Sequence, residues 1–174
     1  MNLDDITRRL RTSTAEFISF CSTIENDLFF FQPADKWSIV QNVKHLSISV
    51  KKTKLVYALP KFIIRLITGK PNRLSRTYDE LVEKYNTKLQ QGGKASGPFI
   101  PKSIPAGVNK GTILKEFSDA MEHLARCMEK KWTDPQLDKY LAPHPLLGKL
   151  TLRELGYFTI HHTIHHLEVI KKRS

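Results

Sequence analysis

Apolar residues recur along most of this chain at spacings of three, four or seven, the period of an amphipathic α-helix. The first such stretch covers residues 3–30, and FQPADKW, with Pro33, ends it. We therefore predict one long helix over residues 3–30. Its apolar stripe consists of Leu10, Phe17, Phe20, Ile24 and Leu28.

The second predicted helix begins with a capping box, in which the side chains of Ser38 and Gln41 each bond the other residue's backbone. Its helical pattern continues to about Tyr57, before Pro60 interrupts it. The following run, KFIIRLITGK, predicts a short apolar helix that ends at Gly69.

Between residues 70 and 110 the chain is rich in glycine and proline. One helix is predicted inside this stretch, from Tyr78 to Leu89. The stretch is too long for a tight turn, so we interpret it as a long crossover. Connections of this length in a compact domain are usually functional or packed locally.

Helical periodicity resumes at about Lys110 and continues to Glu129. Residues 133–135, Thr-Asp-Pro, are typical of a new helix start, and APHPLLGK is typical of a loop. The last helix opens with a second capping box, formed by Thr151 and Glu154, and is predicted to continue toward the C-terminus.

No alternating run of useful length indicates a strand, and no internal repeat is visible. The pattern instead contains four long amphipathic helices, with the long crossover between the second and the third. We therefore predict an all-α fold, a four-helix bundle that forms one domain over residues 1–174.

Four of the seven histidines lie in HHTIHH, residues 161–166, within the last predicted helix. Residues four apart share a helix face, so the run holds two stacked pairs, His161 with His165 and His162 with His166. The second pair lies on the apolar seam and is predicted to face the core, whereas the first leans toward the surface. The seam alternates steps of three and four through Leu152, Leu155, Thr159, His162, His166 and Val169.

Two imidazoles one turn apart form a bidentate clamp for zinc or nickel, and a stable site needs a third ligand. His45 is the best candidate, because it lies among apolar positions of the second predicted helix. Alone, it would more often be a satisfied core residue. Three neutral imidazoles would leave coordination positions open, as catalytic sites do. His123 and His144 are predicted to be surface or loop residues, with His144 shaping its proline-flanked loop.

Hydrophobic residues make up 40% of the chain, enough for a globular fold. No apolar run approaches the roughly 20 residues of a membrane span, and no signal-peptide pattern is visible. Cys21 and Cys127 are far apart, which indicates no disulfide framework. We therefore expect a cytoplasmic protein, no membrane partner and buried structural thiols.

The net charge of +11 permits a nucleic acid, an anionic membrane surface or an anionic small molecule as a partner. The basic residues form short clusters, whereas a nucleic-acid stripe is normally denser and contains aromatics. This pattern disfavours nucleic acid, and the alternative is positive charge spread over solvated faces. A small-molecule substrate is the expected partner.

Two segments resemble the DinB/YfiT-like superfamily: Trp37-Ser38 followed by His45, and HPLLGKLTLRELGYFTIHHTIHHLEVI near the C-terminus. The resemblance implies an up-down-down-up four-helix bundle, a homodimer, and zinc or nickel held by His45, His162 and His166. The family often has glutamine where this chain has Val169. That difference bears on substrate identity more than on metal binding.

Members of that family with a known activity are thiol-dependent transferases or isomerases, and many others are described as metal-dependent hydrolases. The resemblance thus implies an ion that lowers the pKa of a low-molecular-weight thiol or of water for transfer or hydrolysis. No carboxylate is clearly placed as a general base, since Glu154 is explained as a cap. The alternative is a non-catalytic metal-binding or stress-response bundle protein.

Overall fold

The computed structural model describes residues 1–34, 36–95, 97–102, 104 and 107–173. Within these residues the chain is mainly helical, with two single 3₁₀ turns at Gly97–Phe99 and Asp134–Gln136 and one β-hairpin. The α-helices are α1 (Leu3–Thr23), α2 (Asn26–Phe30), α3 (Ile39–Ala58), α4 (Lys61–Thr68), α5 (Tyr78–Gln90), α6 (Lys110–Lys131) and α7 (Leu152–Lys171). The strands are β1 (Leu141–His144) and β2 (Gly148–Thr151).

The core lies between the four long helices. Helix α6 packs against α1 and α3, and α7 packs against the same two helices. Side chains from all four helices join one apolar cluster, which includes Phe17, Leu46, Phe117 and Leu155. The all-α prediction is confirmed in broad outline, while the up-down-down-up order of the bundle stays a prediction.

Both predicted capping boxes are present. Ser38 and Gln41 exchange side-chain and backbone hydrogen bonds at the start of α3, and Thr151 and Glu154 do so at the start of α7. The two helices that carry His45, His162 and His166 therefore begin at residues that the sequence specifies locally. Helix α4 also ends as predicted, at Gly69, whose φ of +78° favours glycine.

The prediction of a single helix over residues 3–30 is wrong. Helix α1 ends at Thr23, because Ile24 and Glu25 have extended backbones. The Lys110 ammonium group donates to the carbonyls of Ser22 and Ile24, which satisfies this helix end. The break allows Phe29 to become fully buried.

The hairpin corrects the prediction that strands are absent and that APHPLLGK is only a loop. Strands β1 and β2 are antiparallel, with Leu141 opposite Thr151 and His144 opposite Gly148. Each strand has only four residues, too few to show a clear alternation. Residues 133–135, predicted to start a helix, start only the short 3₁₀ turn. After this turn, the carbonyls of Leu137 and Tyr140 accept hydrogen bonds from the N–H groups of Arg153 and Leu152 at the beginning of α7.

A buried carboxylate joins the crossover to the start of α7. The Glu154 side chain has no exposed surface and accepts two hydrogen bonds from the Arg73 guanidinium, at 2.6 and 2.7 Å. It also accepts from the backbone N–H groups of Arg76 and Thr151. Burial alone would raise the pKa of Glu154, but the Arg73 guanidinium and these N–H groups outweigh burial and lower the pKa.

We predict that Glu154→Gln lowers the free energy of unfolding by about 2 kcal/mol at neutral pH, because it removes charged hydrogen bonds from a buried group. Denaturant unfolding measures this loss. The matched control is Glu168→Gln on the same helix, where the exposed pair with Lys171 predicts a change below about 0.5 kcal/mol.

The folded-state pKa of Glu154 lies below its ordinary value of 4.5. The contribution of its carboxylate to stability is therefore fully present above about pH 4.5. The contribution is lost as the pH falls through the lower, folded-state pKa. The difference in the free energy of unfolding between wild type and Glu154→Gln should therefore narrow below about pH 4. An equal gap at every pH would contradict this assignment.

Candidate metal centre

The structure brings together the three histidines predicted as ligands. His45 lies on α3, and His162 and His166 lie one turn apart on α7. The Nε2 atom of His162 is 3.1 Å from the Nε2 atoms of both His45 and His166. All three side chains are buried, and one ring nitrogen from each lies within 4.8 Å of the others.

The hydrogen bond on the far side of the His45 ring determines which nitrogen carries its proton. Nδ1 lies 2.7 Å from the backbone carbonyl oxygen of Phe99, which can only accept. Nδ1 therefore donates, and Nε2 presents a lone pair toward His162. Phe99 belongs to the 3₁₀ turn Gly97–Phe99, so the crossover orients this imidazole.

A second hydrogen bond orients His166 in the same way. Its Nδ1 lies 2.7 Å from Oδ1 of Asn42, while Nδ2 of Asn42 donates to the Ser38 carbonyl at 2.8 Å. The bond to Ser38 fixes the orientation of the amide, so Asn42 accepts from His166. Nε2 of His166 therefore also presents a lone pair toward His162.

The Nε2 atom of His162 cannot donate a hydrogen bond to both His45 and His166. A neutral His162 has at most one hydrogen on Nε2, and lone pairs approach it from His45 and His166 at 3.1 Å each. A cation between the three nitrogens would turn this repulsion into attraction. Nitrogens that each lie about 2.1 Å from a shared ion are roughly 3.0 to 3.4 Å apart. The donor set therefore fits a divalent ion that prefers imidazole, such as zinc or nickel.

Burial keeps these imidazoles neutral. It lowers the pKa of His45, against a smaller opposing effect of the hydrogen bond to Phe99. The pKa values of His162 and His166 lie well below the ordinary value, first because of burial and then because neighbouring imidazoles disfavour a positive charge. Neutral imidazole is the form that binds metal.

The three histidines lie on the wall of a cavity of about 490 Å³. Most of the remaining wall is apolar or aromatic, with Tyr85, Leu155 and Phe158 among its residues. Lys52 and Lys94 are its cationic residues, and the described residues that line it include no aspartate or glutamate. The cavity therefore suits a small, partly apolar molecule with a negative charge.

The other histidines of HHTIHH are less exposed than predicted. His165 is half-buried and lines the cavity. His161 is half-buried against the rings of Tyr78 and Tyr85, and its buried Nε2 atom has no hydrogen-bond partner among the described residues. Of the two stacked pairs, His162 and His166 form the buried one, as predicted, and their ring nitrogens group with that of His45.

His144, predicted to be a surface or loop residue, is instead half-buried at the end of β1 and lines the cavity. The predicted role in shaping its loop agrees with the structure, because Nδ1 accepts from the N–H groups of Leu146 and Leu147. Burial, followed by the nearby Lys84 charge, lowers its pKa to about 4. His123 is exposed on α6, as predicted.

The two cysteines are free and do not belong to the three-histidine group. Cys21 is fully buried on α1, and burial raises the pKa of its thiol to about 12. Cys127 is only half-buried, which corrects the prediction that both thiols are buried. Cys21 is therefore inert at neutral pH.

Sequence reasoning missed the two groups that orient the ligands. Asn42 has a signal that could have been recognised, because it is a polar residue three positions before His45 on the same buried face of α3. Phe99 has no such signal, since it acts through its backbone carbonyl from an irregular part of the crossover.

The family model of the DinB superfamily matches residues 9–170 of the chain. The chain belongs to the DinB superfamily. A comparison with curated proteins finds no match. Within the part of this DinB protein that the structure describes, no helix has the length and apolar character needed to span a membrane.

We predict that Asn42→Ala weakens zinc binding by about 10-fold to 100-fold, because His166 loses the acceptor that orients it. Asn42→Asp retains an acceptor for Nδ1 of His166 and should bind zinc about as tightly as the wild type. Competition with a chromophoric chelator measures both affinities. Equal weakening in the two variants would show that Asn42 acts through its bond to Ser38 instead.

Proposed function

We propose that this protein is a divalent-metal-dependent enzyme in which His45, His162 and His166 hold zinc or nickel. The observation that carries the proposal is the convergence of three buried imidazole nitrogens at the wall of a cavity of about 490 Å³. The substrate is a small molecule. The up-down-down-up bundle, the homodimer and the cytoplasmic location belong to the same proposal.

A divalent ion at this site supplies a positive charge that lowers the pKa of a thiol or of water. The chain's own residues provide the setting. Asn42 and the Phe99 carbonyl hold the ligand rings in place, which keeps the donor nitrogens directed at one point. Phe158, whose ring stacks on His162, gives that ligand an apolar surrounding.

Two activities share this chemistry: transfer of a low-molecular-weight thiol to an electrophile, and hydrolysis. The composition of the cavity favours thiol transfer. The described cavity wall has no carboxylate, so a general base for hydrolysis would be the imidazole of His144 or His165. Lys52 and Lys94 suit the carboxylates that such thiols carry. A non-catalytic metal-binding or stress-response protein is the alternative.

Metal content of the protein, purified without a histidine tag, tests the site. We expect about one zinc or nickel ion per chain, and its loss in His45→Ala, His162→Ala and His166→Ala, because each substitution removes one of three ligands. His123→Ala is the matched control, since it removes an exposed histidine. A wild type that cannot be loaded with either metal would contradict the proposal.

The thiol-transfer activity predicts a role for Lys52. With glutathione as the thiol probe, Lys52→Ala should raise KM roughly tenfold, equivalent to about 1.4 kcal/mol, and leave the metal content unchanged. Lys54→Ala removes a charge from the same helix at a position outside the cavity wall and serves as the control. Metal-dependent hydrolysis without any thiol requirement would support the hydrolase instead.

A further inference from the structure

The positive charge of this protein is concentrated in one part of the chain. Residues 36–78 contain ten lysines and arginines and no aspartate or glutamate, so this segment carries +10 of the net +11. The remaining three quarters of the chain is almost neutral. A segment with so strong a charge of one sign attracts a partner of the opposite sign.

The same segment has an exposed apolar surface at the junction of α3 and α4. Its members, which we name the apolar ridge, follow one another at spacings of four, three, four and one, and all five residues are exposed. They are Leu55 (64% exposed), Leu59 (38%), Phe62 (72%), Leu66 (84%) and Ile67 (65%). Clusters of large exposed apolar side chains usually mark an interaction site.

The opposite face of α4 is attached to the rest of the protein. Ile64 is buried, the Lys61 ammonium group lies 5.1 Å from the Trp132 ring centroid, and the Arg65 guanidinium lies 4.9 Å from that of Tyr140. These contacts hold the helix with Phe62 and Leu66 outward. The packing of the opposite face of α4 thus leaves the ridge exposed.

Part of the segment's charge is neutralised within the chain. Glu116 pairs with Lys44 and Lys51, and Glu154 pairs with two arginines of the crossover. The other cations have no carboxylate partner among the described residues. They are Lys36, Lys52, Lys54, Lys61, Arg65 and Lys70. Four of these lie within residues 54–70, the stretch that contains the ridge. Two of the four, Lys61 and Arg65, lie against the rings of Trp132 and Tyr140, and the other two are Lys54 and Lys70.

We propose that the apolar ridge and its surrounding cations dock on the surface of an anionic lipid membrane. An amphipathic helix with aromatic and aliphatic residues on one side and lysine or arginine around it inserts into the interface of such a membrane. The earlier expectation of no membrane partner rests on the lack of a spanning segment, and surface docking needs none.

A second copy of the chain fits this surface less well. Contact between two ridges would bring two basic segments together, and among the described residues only the carboxylates of Glu116 and Glu154 pair with the cations of each segment. An anionic lipid surface offers the complementary charge. Leu55 belongs both to the ridge and to the cavity wall, so a docked membrane would lie beside the candidate metal centre.

Vesicle flotation tests the proposal with the full chain. The probes are vesicles of phosphatidylcholine alone and of phosphatidylcholine mixed with phosphatidylserine. We expect binding only to the mixed vesicles, with a loss of binding at high salt because screening weakens the attraction. Phe62→Ser combined with Leu66→Ser should reduce the bound fraction at least tenfold.

The matched control is Phe31→Ser, which changes a phenylalanine of similar exposure, 61%, in the segment before α3. It should float like the wild type. All of these side chains are exposed, so the variants should retain wild-type thermal unfolding and metal content. Failure of membrane binding is therefore distinguishable from failure of the proposed metal site.

Three results would overturn the proposal. The first is wild-type protein that floats equally poorly with both kinds of vesicle at low salt. The second is equal flotation of the wild type and the Phe62→Ser/Leu66→Ser variant. The third is a dimer in sedimentation velocity that the double substitution dissociates, without vesicle binding by the wild type, which would make the ridge an interface between copies of this chain.

Discussion

The candidate site depends on two hydrogen bonds made on the far side of its imidazole rings. Asn42 accepts a hydrogen bond from Nδ1 of His166, and the Phe99 carbonyl accepts one from Nδ1 of His45. Each bond directs the lone pair on Nε2 of that ring toward His162. Without them, the rings could turn or change tautomer, and three neighbouring histidines would form an ordinary buried polar cluster. With them, the lone pairs of His45 and His166 both point toward Nε2 of His162, and a divalent cation between the three nitrogens would remove this repulsion.

Other parts of the fold serve to keep these two acceptors in position. The capping box at Ser38 determines where α3 begins, and therefore where Asn42 and His45 lie on its buried face. Phe99 follows α5, and the ion pair of Arg73 with Glu154 ties the start of the crossover to the first turn of α7. The crossover is thus a structural part of the site, since it supplies an acceptor and connects α3 to α7.

Much of the helical structure could be predicted from the sequence, because helix periodicity and capping residues are local signals. The three histidines could be found for the same reason, since a spacing of four places two on one face and apolar neighbours indicate burial. The end of helix α1 at Thr23 could not be predicted, since Lys110, distant in sequence, bonds the carbonyls of Ser22 and Ile24 there. The hairpin could not be predicted because its strands are short. The Phe99 acceptor could not be predicted because it is a backbone carbonyl.

Anomalous diffraction from crystals of the zinc-loaded or nickel-loaded protein tests the central claim most directly. Our account predicts one anomalous peak per chain, about 2.1 Å from the Nε2 atoms of His45, His162 and His166. A peak on His161 and His165, or a fully loaded protein with no peak at these three nitrogens, would contradict it.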